Sequence, residues 1–291
     1  MELSKKFSMT EKVLVIGGSG FFGRYLLNTF TDNPLSQFSF HQGFFSNTAT
    51  PHSSVCVNIL DPLSVNSVAE KYDIIINCSG QITNPLELCY QQNTTGIHLL
   101  SQAIKKYNRY LIHLSSAVVY GSADYPDESA PINFQTPYAA CKAFAEYIIR
   151  NELNDDKHLI LRIPNIYGGN QEKGFFAYLK RSFNSDRILE FNNDGQQKKS
   201  FIHLEDSIFS LLELLKAHSS GVYNLPASDV YTIKEVIEKV ESVTSCRFES
   251  SFEESGRLEI LNGLNANKFS LQTGYKLKHN IDSYIKSSFL Q

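Results

Sequence analysis

Short apolar runs alternate with amphipathic segments along the first 160 residues of the chain. Six runs rich in β-branched and aromatic residues are typical of buried strands: residues 12–18, 38–42, 55–58, 72–80, 109–116 and 158–164. Apolar residues at helical spacing separate most of these runs, at 21–30, 63–72, 85–107 and from Tyr138 onward. Strands that alternate with helices predict right-handed βαβ crossovers and a parallel sheet covered on both faces.

The pattern becomes less regular after residue 166. The segments there are helical at 174–183 and 232–240, strand-like at 187–191 and 221–226, and a strand leading into a helix over 198–218. We therefore predict an α/β fold with a doubly wound parallel sheet, followed by a smaller C-terminal α/β lobe. In such folds ligands bind beyond the carboxyl ends of the strands, so the residues that follow strands are the candidate site residues.

The composition excludes several classes of protein. Of the 291 residues, 42% are hydrophobic and 20% are charged, which is ordinary for a soluble globular protein. The formal charge of −3 leaves no basic footprint, so we expect no nucleic-acid partner. The five cysteines have neither zinc nor disulfide-framework spacing, which favours a reducing cytoplasm and predicts no metal site. The apolar run Val13–Ile16 is too short for a signal peptide, and no stretch has the length of a membrane span.

A glycine-rich segment connects the first predicted strand to the first helix. Gly17 permits a tight turn, Gly20 lets a pyrophosphate approach the backbone, and Gly23 allows close packing of helix on strand. The N-terminus of the helix, at Phe21 and Phe22, offers unpaired N–H groups and a positive dipole to phosphates. These five residues predict a site for a dinucleotide cofactor.

The glycine segment also assigns roles to the two parts of the chain. Residues 10–166 are predicted to form an NAD(P)-binding, Rossmann-type domain, whose sheet is completed by residues 200–217. Residues 167–291 are then mainly the substrate-binding lobe.

The end of the second predicted strand bears on the choice between NAD and NADP. A carboxylate normally stands there to bind the ribose hydroxyls, but the chain offers His41, Ser46 and Asn47. Residues 26–70 contain no lysine or arginine either, so Arg24 is the nearest cation for a 2′-phosphate. His41 is our candidate for this position, and the alternative is a solvent-facing turn residue. The expected cofactor is NAD or NADP.

Three residues, at the end of the fifth predicted strand and beyond it, indicate proton transfer. Ser116 ends that strand, Tyr138 follows 22 residues later, and Lys142 comes four residues after Tyr138. Residues four apart lie on one face of a helix, so the ammonium can approach the phenol. A phenol with a pKa of about 10 is a poor base at neutral pH, and a neighbouring cation favours the phenolate. Alone, this spacing also suits a solvated pair on a helix surface; the glycine segment upstream favours catalysis.

Seven motifs together resemble the extended short-chain dehydrogenases/reductases of the nucleotide-sugar epimerase/dehydratase family, over nearly the whole chain. The motifs are GGSGFFG at 17–23, NCSG at 77–80, NTTGIHLL at 93–100, LSSAVVYG at 114–121, YAACK at 138–142, LRIPNIYGG at 161–169 and FIHLEDSIFSLLELL at 201–215. The resemblance implies that Ser116, Tyr138 and Lys142 are the catalytic triad, with Lys142 also binding the nicotinamide ribose.

The resemblance implies further contacts to the cofactor. Asn58 and Ile59 match positions that contact the adenine, although the family usually has Asp where Asn58 stands. Cys78, Ser79 and Gly80 are expected to line the cofactor beside the fourth strand.

Three residues are assigned to the nucleotide-sugar substrate in the same way. Asn165 matches a position near the sugar and the diphosphate. Lys199 stands where the family often has an arginine on the diphosphate, and lysine supplies charge without a bidentate fork. Lys199 can also be read as part of a solvated basic pair. Arg257 is a second candidate ligand of the diphosphate.

A departure from the family pattern restricts the reaction. Dehydratases of the family carry Asp-Glu directly after the hydroxyl residue, whereas Ala117 and Val118 stand here and cannot move a proton. The resemblance therefore implies a 4-epimerase or a 4-keto reductase that transfers hydride at the sugar C4, in surface-polysaccharide or deoxysugar biosynthesis. The alternatives are a reductase or dehydrogenase acting on a non-nucleotide ketone, and a non-catalytic NAD(P)-binding regulatory subunit.

A homodimer is also expected. Phe144, Tyr147 and Ile148 recur at helical spacing after Tyr138, and members of the family often pair through this helix. The same residues can equally face the sheet.

Overall fold

The computed structural model describes residues 10–32, 35–45, 53–80, 85–253 and 260–290. The strands are β1 Glu11–Ile16, β2 Phe38–Phe44, β3 Ser54–Cys56, β4 Ile74–Asn77, β5 Tyr110–Ser116, β6 Ala123–Asp124, β7 His158–Ile163, β8 Asn165–Tyr167, β9 Ile188–Phe191, β10 Lys198–His203, β11 Gly221–Asn224, β12 Asp229–Thr232, β13 Glu249–Phe252 and β14 Leu261–Asn262.

The α-helices are α1 Phe21–Asp32, α2 Pro62–Lys71, α3 Leu86–Gln91, α4 Ile97–Tyr107, α5 Pro137–Glu152, α6 Phe175–Phe183, α7 Leu204–Lys216, α8 Ile233–Thr244, α9 Asn267–Thr273 and α10 Ile281–Phe289. A π-helical turn, Gln92–Gly96, joins α3 to α4, and 3₁₀ turns occupy Ala117–Tyr120 and Asp155–Lys157. None of the helices in the described ranges is long and apolar enough to cross a bilayer.

The largest sheet has seven strands in the order β11-β7-β5-β4-β1-β2-β3. β1 pairs in parallel with β2 and β4, β2 with β3, and β4 with β5. Continuous burial explains the apolar runs, because all four residues of β4 and all six of β7 are buried. The predicted α/β fold with a doubly wound parallel sheet is confirmed.

One part of the strand prediction needs correction. Residues 200–217 do not complete the large sheet, because its seventh strand is β11. β10 instead pairs in parallel with β8 and antiparallel with β12, in a separate sheet of three strands. Pro164 supplies the physical reason: it has no N–H with which to continue the ladder of β7, so β8 begins a new sheet and β10 joins it.

The chain divides into two compact units, one of residues 1–114 and 144–160 and the other of residues 115–143 and 161–291. The first contains the buried strands β1 and β4 and the packing of α2 on α4. The second has an aromatic-rich core that includes Tyr167, Phe176 and Phe201. The assignment of residues 167–291 to substrate binding stays a prediction.

A fully buried asparagine organises part of the second unit. The Asn224 side chain accepts a hydrogen bond from the hydroxyl of Tyr120 at 2.7 Å and donates to the carbonyls of Pro126 and Asn265 at 3.0 Å each. Arg162 in turn donates to the Tyr120 hydroxyl at 2.6 Å. Burial raises the pKa of the Tyr120 phenol, so the phenol stays neutral and can donate.

We expect Asn224→Ala to lower the free energy of unfolding by about 2–4 kcal/mol, because it leaves several buried polar groups without partners. Urea unfolding followed by circular dichroism measures the change. Asn262→Ala is the matched control, since Asn262 is exposed and the described side-chain partners of its amide are the exposed Asp124 carboxylate and the half-buried Lys198. Equal stability of the two variants would contradict the expectation.

Candidate functional site

The glycine segment between β1 and α1 folds as a tight turn with no room for side chains. Gly17 has a φ of 77°, in the left-handed region that favours glycine. The N–H of Gly20 donates to the carbonyl of Gly17 at 2.9 Å. A Cβ on Gly23 would lie 2.4 Å from that carbonyl oxygen. Phe22 is buried, whereas Gly20 is exposed beside the N-terminus of α1.

These contacts fit a dinucleotide. Because a Cβ on Gly17 or Gly23 would meet backbone atoms at 3.1 Å or less, neither position can carry a side chain in front of α1. An exposed glycine in front of a helix N-terminus is a favourable place for a pyrophosphate. The predicted roles of Gly17, Gly20 and Gly23 therefore agree with the local geometry, and we retain them with Phe21 and Phe22 as a proposed cofactor site.

The segment after β4 lies against the same turn. A Cβ on Gly17 would meet the backbone of Cys78 and Ser79 at 3.1 Å. Both the N–H and the hydroxyl of Ser79 donate to the side-chain oxygen of Asn77, at 3.1 and 2.6 Å. The structure thus brings together two of the predicted cofactor segments, the glycine turn and residues 78–80.

Sequence reasoning missed the polar pair that holds this segment. The amide nitrogen of Asn77 lies 3.2 Å from Nδ1 of His113 on the neighbouring strand, and both side chains are fully buried. A signal was present, because each is a polar residue that follows a buried apolar run, Asn77 at the end of IIIN and His113 within YLIHLSS. Buried polar groups of this kind need hydrogen-bond partners, and Asn77 finds them on β5 and in Ser79.

Asn93 fixes the next residue, Gly80. Its amide donates to the carbonyls of Gly80 and Cys89, at 2.9 Å each. Gly80 has a φ of 80°, and a Cβ there would lie 2.7 Å from the Asn93 side-chain oxygen. Asn93 sits in the π-helical turn between α3 and α4, a local widening that is frequent at functional sites.

Asn58 and Ile59 occupy the turn between β3 and α2. The side chain of Asn58 accepts from the N–H of Leu60, and its own N–H donates to the Ser64 hydroxyl, each at 3.0 Å. Ile59 is buried, and a Cβ on Gly96 would meet its side chain at 3.1 Å. Both side chains therefore already serve the turn, and their predicted contact with adenine stays a proposal.

His41 is not brought to the glycine turn. β2 continues to Phe44, so His41 lies inside the strand and pairs with Leu14, whereas Gly18 donates to the carbonyl of Gly43. The imidazole packs edge-on against Tyr72, with ring centroids 5.2 Å apart. Burial, helped by the charge of Lys12, lowers the pKa of His41, so it offers no charge to a 2′-phosphate. We therefore drop His41 from the proposed cofactor site; Ser46 and Asn47 lie outside the described residues.

The three predicted catalytic residues all belong to the second unit. Ser116 ends β5, and its hydroxyl caps the following 3₁₀ turn by accepting from the N–H of Val118 at 3.4 Å. Tyr138 and Lys142 lie one turn apart in α5, with Nζ of Lys142 over the Tyr138 ring at 5.9 Å from its centroid. Tyr138 is half-buried, and Lys142 is fully buried. A dry ammonium beside a partly accessible phenol is an arrangement that can support proton transfer.

The predicted substrate ligands are placed as follows. Asn165 is half-buried in β8 and donates to the carbonyl of Ser200 at 3.1 Å. Lys199 is half-buried in β10, where it pairs with Tyr231 of β12. Arg257 lies outside the described residues.

A match to a protein-family model identifies the class to which this chain belongs. Residues 13–225 match the model of the NAD dependent epimerase/dehydratase family. The chain therefore belongs to the NAD-dependent epimerase/dehydratase family, a family of enzymes, and the predicted membership and enzyme class are confirmed.

Individual relatives and solved structures agree with this assignment. A UDP-glucose 4-epimerase of Lactobacillus helveticus is 25% identical over 270 residues, which cover 80% of this chain and 82% of the relative. A dTDP-glucose 4,6-dehydratase of Bacillus anthracis, crystallised with NAD, has a TM-score of 0.84 at 19% identity and covers 96% of each chain. RMD of Pseudomonas aeruginosa, complexed with NADPH, has a TM-score of 0.78 at 21% identity, covering 97% of this chain and 98% of that one. At these identities the two structures establish the fold alone.

Two glycine substitutions separate binding from folding in the proposed cofactor site. We expect Gly20→Ala to weaken dinucleotide binding at least tenfold with little change in the melting temperature, because its Cβ meets only one atom, at 3.1 Å. Gly23→Ala is expected to lower both the dinucleotide affinity and the melting temperature, because its Cβ would lie 2.4 Å from the carbonyl oxygen of Gly17. Titration calorimetry with NAD and NADP and thermal unfolding of each variant test this. Unchanged dinucleotide affinity in Gly20→Ala would refute the proposal that the glycine turn binds the cofactor.

Proposed function

We propose that this chain is a nucleotide-sugar 4-epimerase that uses NAD or NADP. One observation carries the proposal: a fully buried Lys142 lies over the ring of Tyr138, one helical turn away, on a chain that belongs to this family. The UDP-glucose 4-epimerase of Lactobacillus helveticus supports the choice of reaction.

The proposed roles follow from the chemistry of each side chain. A bound NAD or NADP would supply the hydride-transfer chemistry at the sugar C4. Tyr138 removes or returns the proton of the C4 hydroxyl, and the charge of Lys142 favours its phenolate form. Ser116, at the end of β5, hydrogen-bonds the same sugar oxygen. Asn165, Lys199 and Arg257 are the proposed contacts to the sugar and the diphosphate.

The residues after Ser116 argue against the dehydratase reaction. Elimination needs an acid and a base besides the tyrosine. Ala117 is buried and Val118 is half-buried, and neither side chain carries a transferable proton. We therefore limit the proposed chemistry to oxidation and reduction at one carbon, in polysaccharide or deoxysugar biosynthesis. A cytoplasmic location belongs to the same proposal, supported by five cysteines without disulfides.

A 4-keto reductase that uses NADPH is the second candidate. The end of β2 favours it, because the carboxylate expected of an NAD site is not found among the described residues there. The described residues that continue β2 beside the glycine turn are Gly43, Phe44 and Phe45, none of which is the carboxylate typical of an NAD site. Mass spectrometry under native conditions separates the two candidates, because an epimerase keeps its dinucleotide through turnover whereas a reductase exchanges it. A dinucleotide that co-purifies in stoichiometric amount would favour the epimerase.

Tyr138→Phe is expected to lower kcat by about 10²–10⁴, because the ring stays and the transferable proton is lost. Dinucleotide affinity should stay near that of the wild type. Tyr125→Phe is the control, since Tyr125 is 56% exposed and belongs to neither the proposed site nor the proposed dimer interface. Turnover of a UDP-sugar panel by coupled assay measures both variants. Retained turnover in Tyr138→Phe would refute the proposed role of Tyr138.

We also propose a homodimer that buries one face of α5. Phe144 and Tyr147 are 48% and 62% exposed, and their rings stack with centroids 6.1 Å apart. An exposed aromatic pair on a long helix is suited to packing against a second copy.

The charged double variant Phe144→Glu, Tyr147→Glu is expected to be monomeric, because two carboxylates cannot be buried in an apolar interface without partners. Light scattering after size-exclusion chromatography gives the mass. Leu271→Glu is the control, since Leu271 is 89% exposed on α9 and should not affect assembly. A wild-type mass of one chain would refute the dimer.

A further inference from the structure

Two histidines and a glutamate from distant parts of the chain converge at the start of α7. His203 precedes the helix, Glu205 lies in its first turn, and His279 lies in the segment before α10. One nitrogen of each histidine and one oxygen of Glu205 lie within 4.8 Å of one another. All three belong to the second unit and are separate from Ser116, Tyr138 and Lys142.

A buried carboxylate orients His279. Asp206 is fully buried and accepts from the hydroxyl of Tyr275 at 2.8 Å and from the N–H groups of Lys278 and His279 at 3.0 and 2.9 Å. It also lies 3.2 Å from Nδ1 of His279. Asp206 is surrounded by donors, so Nδ1 carries its proton toward Asp206. The lone pair of a neutral ring is then on Nε2.

That lone pair faces a second carboxylate. Nε2 of His279 lies 3.4 Å from Oε2 of Glu205. Two lone pairs at this distance repel unless a proton or a metal ion stands between them. A carboxylate that holds Nδ1 while Nε2 points to a cation is the usual second shell of a zinc histidine.

His203 completes the set. Its ring stacks on that of His279, with centroids 4.0 Å apart and 22° between the planes. Its Nδ1 accepts a hydrogen bond from the N–H of Glu205 at 3.3 Å, so this nitrogen carries a lone pair, which a bound ion would take over from that N–H. A Cβ on Gly168 would lie 2.3 Å from Nε2 of His203, so this glycine leaves space for the ring.

We propose that His203, Glu205 and His279 bind a divalent cation of the zinc class, with Asp206 orienting His279. Two nitrogens and a carboxylate oxygen, with water in the fourth position, make a tetrahedral zinc site of the open type. Ligand atoms on such an ion are separated by about 3.3 Å, since zinc–ligand bonds are about 2.0–2.1 Å long. The three ligand atoms, which now lie within 4.8 Å of one another, must therefore move closer together when the ion binds.

The contraction requires one ring to turn. Stacked rings direct their lone pairs along nearly parallel planes, so both cannot reach one ion in the present rotamers. Asp206 holds His279 in place, so His203 is the ring that turns. The side chain of Glu205 is 51% exposed, which leaves a route for the ion from solvent.

The charge balance favours a cation here in spite of the helix. The N-terminus of α7 contributes about +0.5 charge, which disfavours a cation. Glu205 and Asp206, both in the first turn, supply two carboxylates against it. The bound ion would join α7 to the segment leading into α10 and stabilise that connection.

Chelator-treated protein without an affinity tag provides the test. We expect zinc chloride at pH 7.5 to bind with a stoichiometry of one in titration calorimetry and to raise the melting temperature. Cobalt chloride should give the visible absorption of a tetrahedral nitrogen and oxygen site. Glu205→Gln and His279→Gln should each weaken zinc binding at least tenfold and remove the thermal shift.

His218→Gln is the matched control, because His218 is exposed just after α7 and stands outside the cluster. Circular dichroism verifies that each variant is folded; Glu205→Gln changes a half-exposed side chain and provides the test even if His279→Gln unfolds. Absence of zinc binding in the wild type would overturn the proposal. So would equal binding by Glu205→Gln, or a cobalt–thiolate band, which would place the ion on cysteine.

Discussion

The register between three parallel strands is the constraint on which the rest of this structure depends. Ile16 of β1 pairs with Asn77 of β4, and Asn77 pairs with His113 of β5. The hydrogen-bonded Asn77 and His113 are fully buried in strands that are mostly apolar. A shift of one residue would turn both polar side chains to the opposite face and leave them without partners, so this pair specifies the register.

The register also explains why the glycine turn and residues 78–80 come together. Each segment begins one residue after a paired position, so both leave the sheet at the same level. Space there is limited, because a Cβ on Gly17 would meet the backbone of Cys78 and Ser79 at 3.1 Å. Gly80 and Asn93 then close the arrangement from the π-helical turn. The proposed dinucleotide site is thus built largely from backbone groups, whose positions follow from strand pairing and hydrogen bonds.

The sequence predicted what depends on local pattern. The strands of the large sheet up to β7, the helices between them, the glycine turn and the spacing of Tyr138 and Lys142 all follow from periodicities of 2 and 3.6 or from single glycines. The prediction failed where contacts between residues far apart in the sequence determine the structure. His41 was expected at the end of β2, but pairing with β1 extends that strand to Phe44. The approach of His279 to His203 depends on Asp206, 73 residues before His279, and no motif reveals it.

The burial of Lys142 bears on whether the chain is a catalyst or only a dinucleotide-binding subunit. Removing an ammonium from water costs several kcal/mol even where partners offset part of it, and an apolar residue of similar size usually gives a more stable core. A subunit that only binds the dinucleotide needs Lys142 for the nicotinamide ribose alone and has no use for a phenol beside it. A proton-transfer site has a use for it, because a dry ammonium acts on a neighbouring phenol far more strongly than a hydrated one. The position of Lys142 over the ring of Tyr138 is where that effect is needed, which argues against the regulatory subunit and for the enzyme.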